Sequence, residues 1–129
     1  MMEFKMANYE GARLAYSLEG RRADLLERQE TALIDAPLLK IYQQETQGKL
    51  LAEARGASGT LDLATKNIVL EGSVVYHVIP REQRLNTSKL IYRTAEHEME
   101  VPEGTGYTLR TPQGTVDGSG LVAKEDLTQ

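Results

Sequence analysis

The sequence has no cysteine and no tryptophan, and it contains a single phenylalanine. Without cysteine the chain cannot build a disulfide scaffold, a cysteine-ligated zinc site or a cysteine nucleophile. It also lacks a basic surplus: its formal net charge is −4, whereas proteins that bind nucleic-acid phosphates normally carry a basic face. No apolar run reaches the roughly 18 residues of a membrane-spanning helix, and no signal-peptide pattern opens the chain. We expect one acidic, aromatic-poor domain over residues 1–129.

Helical periodicity is scarce. The best helix candidate is the segment 21–31, where Leu25 and Leu26 fall near helical spacing with Ala32. The segment is short and no N-capping residue precedes it, so a strand with a charged turn is favoured over a helix.

Alternation with period two is the dominant pattern. Apolar residues alternate through 14–18 and 74–78, and similar alternation continues through 85–92 and 107–109. Glycine, proline, asparagine and aspartate separate these runs into short segments. Short alternating strands with turn signals every 8 to 12 residues are typical of an all-β sandwich, barrel or solenoid.

An internal repeat narrows this choice. The segments Leu18–Ala23, Leu51–Gly56, Leu85–Leu90 and Val116–Leu121 align as successive first strands, which gives a period of about 31 to 34 residues. The segments Ile34–Leu38 and Leu70–Val74 align as second strands. Each repeat holds two strands joined by a tight corner. Because a two-stranded unit cannot bury its apolar face alone, the units must stack. The repeat predicts a rolled or V-shaped sandwich of two facing sheets built from repeated strand pairs.

The first and last strands of such a sandwich have no partner within the chain. Unpaired edges invite pairing with another chain, and strand addition is a known mode of recognition. Neither the segment 3–9 nor the segment 114–123 carries the proline or dense lysine that would block addition. The alternative is that both ends fray. We predict that the partner-binding edges comprise Phe4, Met6, Val116, Gly118, Gly120 and Leu121.

The sequence shows no catalytic pattern. His77 and His97 lie on different predicted strands, and the acidic residues around His97 are typical of an exposed charged turn rather than of a metal site. Turn chemistry explains the carboxylates near the corners, which are Asp35, Glu71, Glu103 and Asp117. We predict no catalytic residue, no metal and no cofactor, and therefore no enzyme.

Three stretches carry a resemblance to a known family. They are Phe4–Ala23, which contains Tyr16-Ser-Leu18; Leu61–Tyr76, which contains Leu70-Glu-Gly72-Ser-Val74; and Tyr107–Leu121, which ends in Gly118-Ser-Gly120-Leu121. In this order they resemble the LptC family of lipopolysaccharide export, within the OstA-like β-jellyroll group. Members of that family begin with a transmembrane helix, which this chain does not contain.

The resemblance implies one twisted, V-shaped β-jellyroll that works in the periplasm and is anchored to the inner membrane in the full-length protein. It implies that lipopolysaccharide arrives from the LptF/LptG-type transporter at the N-terminal edge and leaves to an LptA-like bridge at the C-terminal edge. Two alternatives are an LptA-like bridge protein and, from another class, a carbohydrate-binding or enzymatic β-sandwich. Edge-to-edge association of identical chains is also compatible with the fold.

The family's acyl chains slide through an apolar groove between the two sheets. Period-two alternation predicts which residues face inward, although lining a groove and forming an ordinary core give the same pattern. The predicted groove residues are Leu14, Tyr16, Leu18, Leu39, Ile41, Leu51, Val74, Tyr76, Val78, Leu85, Tyr107 and Leu109.

Overall fold

The computed structural model describes residues 3–44 and 48–128. These residues form eleven β-strands and one short 3-10 turn, Glu27–Gln29, and no helix among them is long and apolar enough to cross a membrane. The all-β prediction is confirmed, and the segment 21–31 is a strand followed by a charged turn. The strands are β1 Phe4–Glu10, β2 Arg13–Gly20, β3 Arg22–Leu26, β4 Thr31–Asp35, β5 Leu38–Tyr42, β6 Leu50–Arg55, β7 Ser58–Asp62, β8 Ile68–Val78, β9 Gln83–Arg93, β10 Glu98–Thr111 and β11 Gly114–Lys124.

All the strands pair antiparallel in one continuous hydrogen-bonded sheet that is folded into two wings. Strand β8 belongs to both wings, because residues 68–71 pair with β7 whereas residues 75–78 pair with β6. Strands β9, β10 and β11 follow β8 across the fold in the same way. Wing A comprises β1, β2, β5, β6 and the segments 74–78, 83–87, 106–111 and 114–119. Wing B comprises β3, β4, β7 and the segments 68–71, 89–93, 98–101 and 121–124.

The fold line between the wings passes through corners that recur every 16 residues in the second half of the chain, at Gly72, Ser88, Gly104 and Gly120. The ladders shift register there, between Glu71 and Val74 and between Val101 and Gly106. The three glycines have positive φ angles of 83°, 86° and 69°, which residues with a side chain rarely adopt. Two successive corners make a unit of 32 residues, which accounts for the period in the sequence.

The core lies between the wings and is continuous across them. The ring of Tyr16 in wing A meets the ring of Tyr92 in wing B edge-to-face, with centroids 6.0 Å apart. Both residues lie toward the ends of their strands that are remote from the fold line, which we call the tips. Because the wings twist, the tip of β2 packs over the tip of β9.

Candidate functional site

The inner faces of the two wings form one apolar lining. Eight of the predicted groove residues lie in it and are at most 2% exposed: Tyr16, Leu18, Leu39, Ile41, Val74, Tyr76, Val78 and Leu85. Leu51, Tyr107 and Leu109 are half-buried and pack against this core. The buried side chains fill the space between the wings in this conformation, so contact of these residues with lipid stays a prediction.

Leu14 lies outside this lining, and a β-bulge is the reason. Asn8 of β1 is opposite Tyr16, but its neighbour Tyr9 is opposite Leu14, so Ala15 is an extra residue in β2. Ala15 is 3% exposed, which places it inside next to Tyr16. Leu14 instead shares the outer face with its partner Tyr9, which is 60% exposed. The structure therefore corrects the expectation that Leu14 faces inward.

Wing B supplies the other half of the lining, from residues outside the predicted groove set, although the alternation through 85–92 included Leu90 and Tyr92. One sequence signal could have predicted them, because apolar residues alternate on both sides of a corner. In β8, Ile68 and Leu70 precede the Gly72 corner, whereas Val74 and Tyr76 follow it. The large buried residues of wing B are Ile34, Leu61, Ile68, Leu70, Leu90, Tyr92, Met99 and Val101.

The lining reaches water at both ends of the fold. At one end Leu25 of β3 is paired with the buried Ala32 and is nevertheless 57% exposed. At the other end Val116 of β11 is paired with Leu109 and is 55% exposed. Register places both side chains on inner faces. Each end of the fold therefore exposes one apolar side chain on the same inner face as the core-packed residue with which it pairs.

Each open end is bordered by strand edges. Within the described residues β1 pairs with β2 alone, β3 with β4 alone and β11 with β10 alone. Strands β1 and β11 are the edges expected from the sequence, and β3 is an additional edge in wing B. Phe4 and Met6 of β1 and Leu121 of β11 are half-buried and pack against the core. The end with β1 and β3 thus offers two free strands, and β11 offers a free edge in both wings.

The two glycines assigned to the C-terminal edge have internal structural roles. Gly118 is opposite Tyr107, and a Cβ atom at Gly118 would lie 2.5 Å from the Tyr107 hydroxyl oxygen. The tyrosine ring therefore covers the glycine. Gly120 forms the last corner, and a Cβ atom there would lie 3.3 Å from the Cα atom of Glu103. Substitution of either glycine would disturb β11 itself, so neither position reports on docking alone.

A polar cluster joins the wings at the closed pair of tips. The buried Glu125, just after β11, accepts a 3.1 Å hydrogen bond from the Tyr92 hydroxyl through its carboxylate Oε1. The same Oε1 lies 3.0 Å from Nδ1 of His97, whose Nε2 lies 3.2 Å from Oε2 of Glu10 in wing A. The hydroxyl of Tyr76 donates a 2.5 Å hydrogen bond to the backbone oxygen of Glu125. His97, which sequence reasoning placed in an exposed turn, is thus a link between the wings.

Burial controls the protonation of this cluster. It raises the pKa of Tyr76 and of Tyr92 well above the usual tyrosine value, and the charge of Glu125 adds to the effect. Burial also raises the pKa of Glu125, although His97 and the hydrogen bond from Tyr92 partly oppose it. In the described part of the chain no group of three or more histidine, aspartate and glutamate side chains is arranged to hold a metal ion.

The site thus combines a two-winged apolar lining with exposed inner-face residues at both ends and with strand edges that are unpaired within the described residues. The family model described as "Lipopolysaccharide-assembly, LptC-related" matches residues 1–129. No curated protein matches the chain at a significant level. Because the family model spans the whole sequence, the chain belongs to the LptC-related family, a periplasmic component of lipopolysaccharide transport.

Proposed function

We propose that this domain binds the acyl chains of lipopolysaccharide between its wings and passes them from an inner-membrane transporter to an LptA-like bridge. The observation that carries the proposal is the apolar inner face of each wing, on which Leu25 at one end and Val116 at the other are exposed beside residues of the core cluster. An acyl chain that moves along this lining would have apolar contacts over its whole route. The full-length protein would be anchored to the inner membrane, and the domain would act as a carrier and not as an enzyme.

Binding would be driven by removal of the acyl chains from water. Each buried methylene contributes about 0.8 kcal/mol, so a chain of ten carbons would gain roughly 8 kcal/mol, which would oppose the cost of separating side chains that now pack together. The aliphatic side chains of the lining suit transfer, because leucine, isoleucine and valine provide no hydrogen bonds that would fix one position of the cargo.

The wings would separate most easily away from the polar cluster. Glu10, His97 and Glu125 hold the tips of β1 and β2 against the tips of β9 to β11 in wing B. Leu25 and Val116 lie elsewhere, and their exposure indicates that wing-to-wing packing is weakest near them. We therefore place the first contacts with lipid at these two residues and at the half-buried Leu109.

The free edges would connect the domain to its partners. Strand addition supplies main-chain hydrogen bonds without requiring a specific side chain. In this proposal β1 and β3 would pair with the transporter, of LptF/LptG type, and β11 would pair with the LptA-like bridge. The segment 114–119 of β11 contains no proline and no lysine, so nothing in its sequence blocks pairing.

The test is site-specific photo-crosslinking to lipopolysaccharide with probes at the open ends. Fully buried positions such as Tyr76 are unsuitable, because a bulky probe there would disrupt the core. The probe replaces Val116 or Leu25, and the controls replace Thr115 or Asp24, which are exposed neighbours on the outer faces. We expect capture at Val116 and Leu25 at least fivefold above the controls. Equal capture at inner and outer positions of the folded protein contradicts the proposal.

A further inference from the structure

Three nitrogen-bearing side chains lie side by side near the tip of wing A. His77 of β8 is opposite Arg84 of β9, and Arg84 is also opposite Arg110 of β10. Residues directly opposite on antiparallel strands have Cβ atoms about 5 Å apart on the same face. Alternation places all three on the outer face, since the neighbours Val78, Leu85 and Leu109 face the core. The result is a short row of hydrogen-bond donors with two permanent positive charges.

The two arginines of this row form no ion pair within the described part of the chain. The arginines that form ion pairs there are Arg13, Arg21, Arg22 and Arg93, whereas Arg84 and Arg110 form none. Two carboxylates are nearby: Glu82 borders the same cleft and Glu53 of β6 lies opposite His77, but neither forms an ion pair with Arg84 or Arg110. Like charges placed directly opposite each other destabilise a sheet. A bound anion would offset the repulsion between these two adjacent arginines.

The side chains also line a cleft. It has a volume of about 380 Å³ and is bordered by His77, Glu82, Arg84, Arg110, Thr111 and Pro112. Two adjacent guanidinium groups match the oxygens of a phosphate, because each can donate a pair of parallel N–H bonds. A tetrahedral phosphate with three outer oxygens can accept such pairs from both arginines at once.

The position of the cleft connects it to the open end of the lining. Arg110 directly follows Leu109, whose side chain is on the inner face and is paired with the exposed Val116. The two arginines are therefore at the rim of wing A, outside the apolar surface and within one strand position of it. An amphiphile with its acyl chains against Leu109 and Val116 would bring its headgroup to this rim.

We propose that Arg84 and Arg110, flanked by His77, form a binding site for a phosphate group on the headgroup of the lipid cargo. The inference rests on the proposed function, because it requires acyl chains between the wings. It adds a specificity determinant: the domain selects phosphorylated amphiphiles and holds them with the headgroup at the rim of wing A.

The test compares the double variant Arg84→Gln/Arg110→Gln with the wild-type chain in binding to lipopolysaccharide and to the same lipid treated with phosphatase. Arg55→Gln is the matched control, since Arg55 is exposed on the outer face of wing A near the corner and forms no ion pair in the described ranges. We expect wild type and Arg55→Gln to bind the phosphorylated lipid at least tenfold more tightly than the treated lipid. The double variant should bind both lipids equally. Wild type that does not distinguish the lipids, or Arg55→Gln that loses the distinction, overturns the site.

Two further measurements separate the sources of phosphate and the two proposals. In the first measurement, wild type is titrated with inorganic phosphate and followed by NMR. We expect only small chemical-shift changes at Arg84 and Arg110. Saturation at micromolar phosphate would assign the site to the free ion and overturn the headgroup assignment.

In the second measurement, capture of lipid at a Val116 probe should persist in the double variant, since that contact is apolar. Absence of capture in wild type refutes the lipid groove, whereas capture without discrimination refutes only the phosphate site. Thermal unfolding of the double variant should occur at or above the wild-type temperature, which shows that it folds.

Discussion

Glu125 is the residue whose ionisation bears most directly on the stability of this fold. It is 5% exposed and contacts Tyr92 and His97 through one carboxylate oxygen. His97 in turn contacts Glu10 through its other ring nitrogen. The charged residues next to Glu125 in the sequence are Lys124 and Asp126. Because burial raises the pKa of Glu125 above its ordinary value near 4.5, the folded state holds the proton more tightly than the unfolded state does.

The sign of the pH dependence follows from linkage. A carboxyl group with a raised pKa in the folded state adds stability below its unfolded pKa, and this stability is lost as the pH rises through the folded pKa. We expect wild type to lose stability relative to Glu125→Gln as the pH is raised from about 4 to 7, because glutamine stays neutral. Urea unfolding at several pH values measures this difference. The exposed Glu96→Gln serves as the control, and a constant difference between wild type and Glu125→Gln across the range argues against a raised pKa.

The corner is the element that turns one long ladder into two wings. At Gly72 the backbone has a φ of 83°, and a Cβ atom there would lie 2.8 Å from the Cβ of Ala57, in the corner between β6 and β7. Two corners therefore touch along the fold line, which fixes the spacing of neighbouring strand pairs. Ser73, with a φ of 47°, completes the bend.

Replacement of Gly72 by alanine should destabilise the fold by about 2 kcal/mol, because left-handed backbone costs an alanine roughly 1–2 kcal/mol and the close contact with Ala57 adds to it. Chemical unfolding measures the loss. Gly106→Ala is the control: its φ is not in the left-handed region, and the nearest atom to an added Cβ is 3.8 Å away. If both variants are equally stable, the Gly72 corner is not under the constraint described here.

Local features of the elements could be predicted from the sequence, and features that depend on contacts between them could not. Alternation placed Leu18 and Tyr76 inside because a strand turns successive side chains to opposite faces. It failed at Leu14 because the bulge at Ala15 shifts the phase by one residue, and nothing in the local composition marks that bulge. It also carried no information on which strands lie opposite each other across the core. The ring contact of Tyr16 with Tyr92 and the burial of Glu125 could therefore not be predicted from alternation.

At the scale of the whole molecule, the fold has one closed side and two open ends. The polar cluster at Glu10, His97 and Glu125 fastens one pair of tips, and the free edges β1, β3 and β11 border the open ends. Under the proposed function, lipid transfer would depend on the inner face at those ends and not on the exposed apolar surface in general. Strand β11 allows this difference to be tested within one element.

Val116 and Val122 are both on β11 and are both 55% exposed, but they face opposite sides of their sheet. Val116 is paired with Leu109 on the inner face, whereas Val122 is paired with Glu100 on the outer face. Val116→Asp places a charge where an acyl chain would pass, and burial of an unpaired charge against lipid is costly. We expect it to slow transfer of lipopolysaccharide to an acceptor domain by about tenfold.

Val122→Asp should leave that transfer rate within about twofold of wild type, because its charge stays in water. The assay mixes the lipid-loaded domain with an LptA-like acceptor and follows the appearance of lipid on the acceptor. Both substitutions are at exposed positions, so both variants should unfold close to the wild-type temperature. Equal slowing by the two substitutions would show that transfer depends on the β11 edge as a whole. Normal transfer by folded Val116→Asp would show that the acyl chains do not leave through this end of the lining.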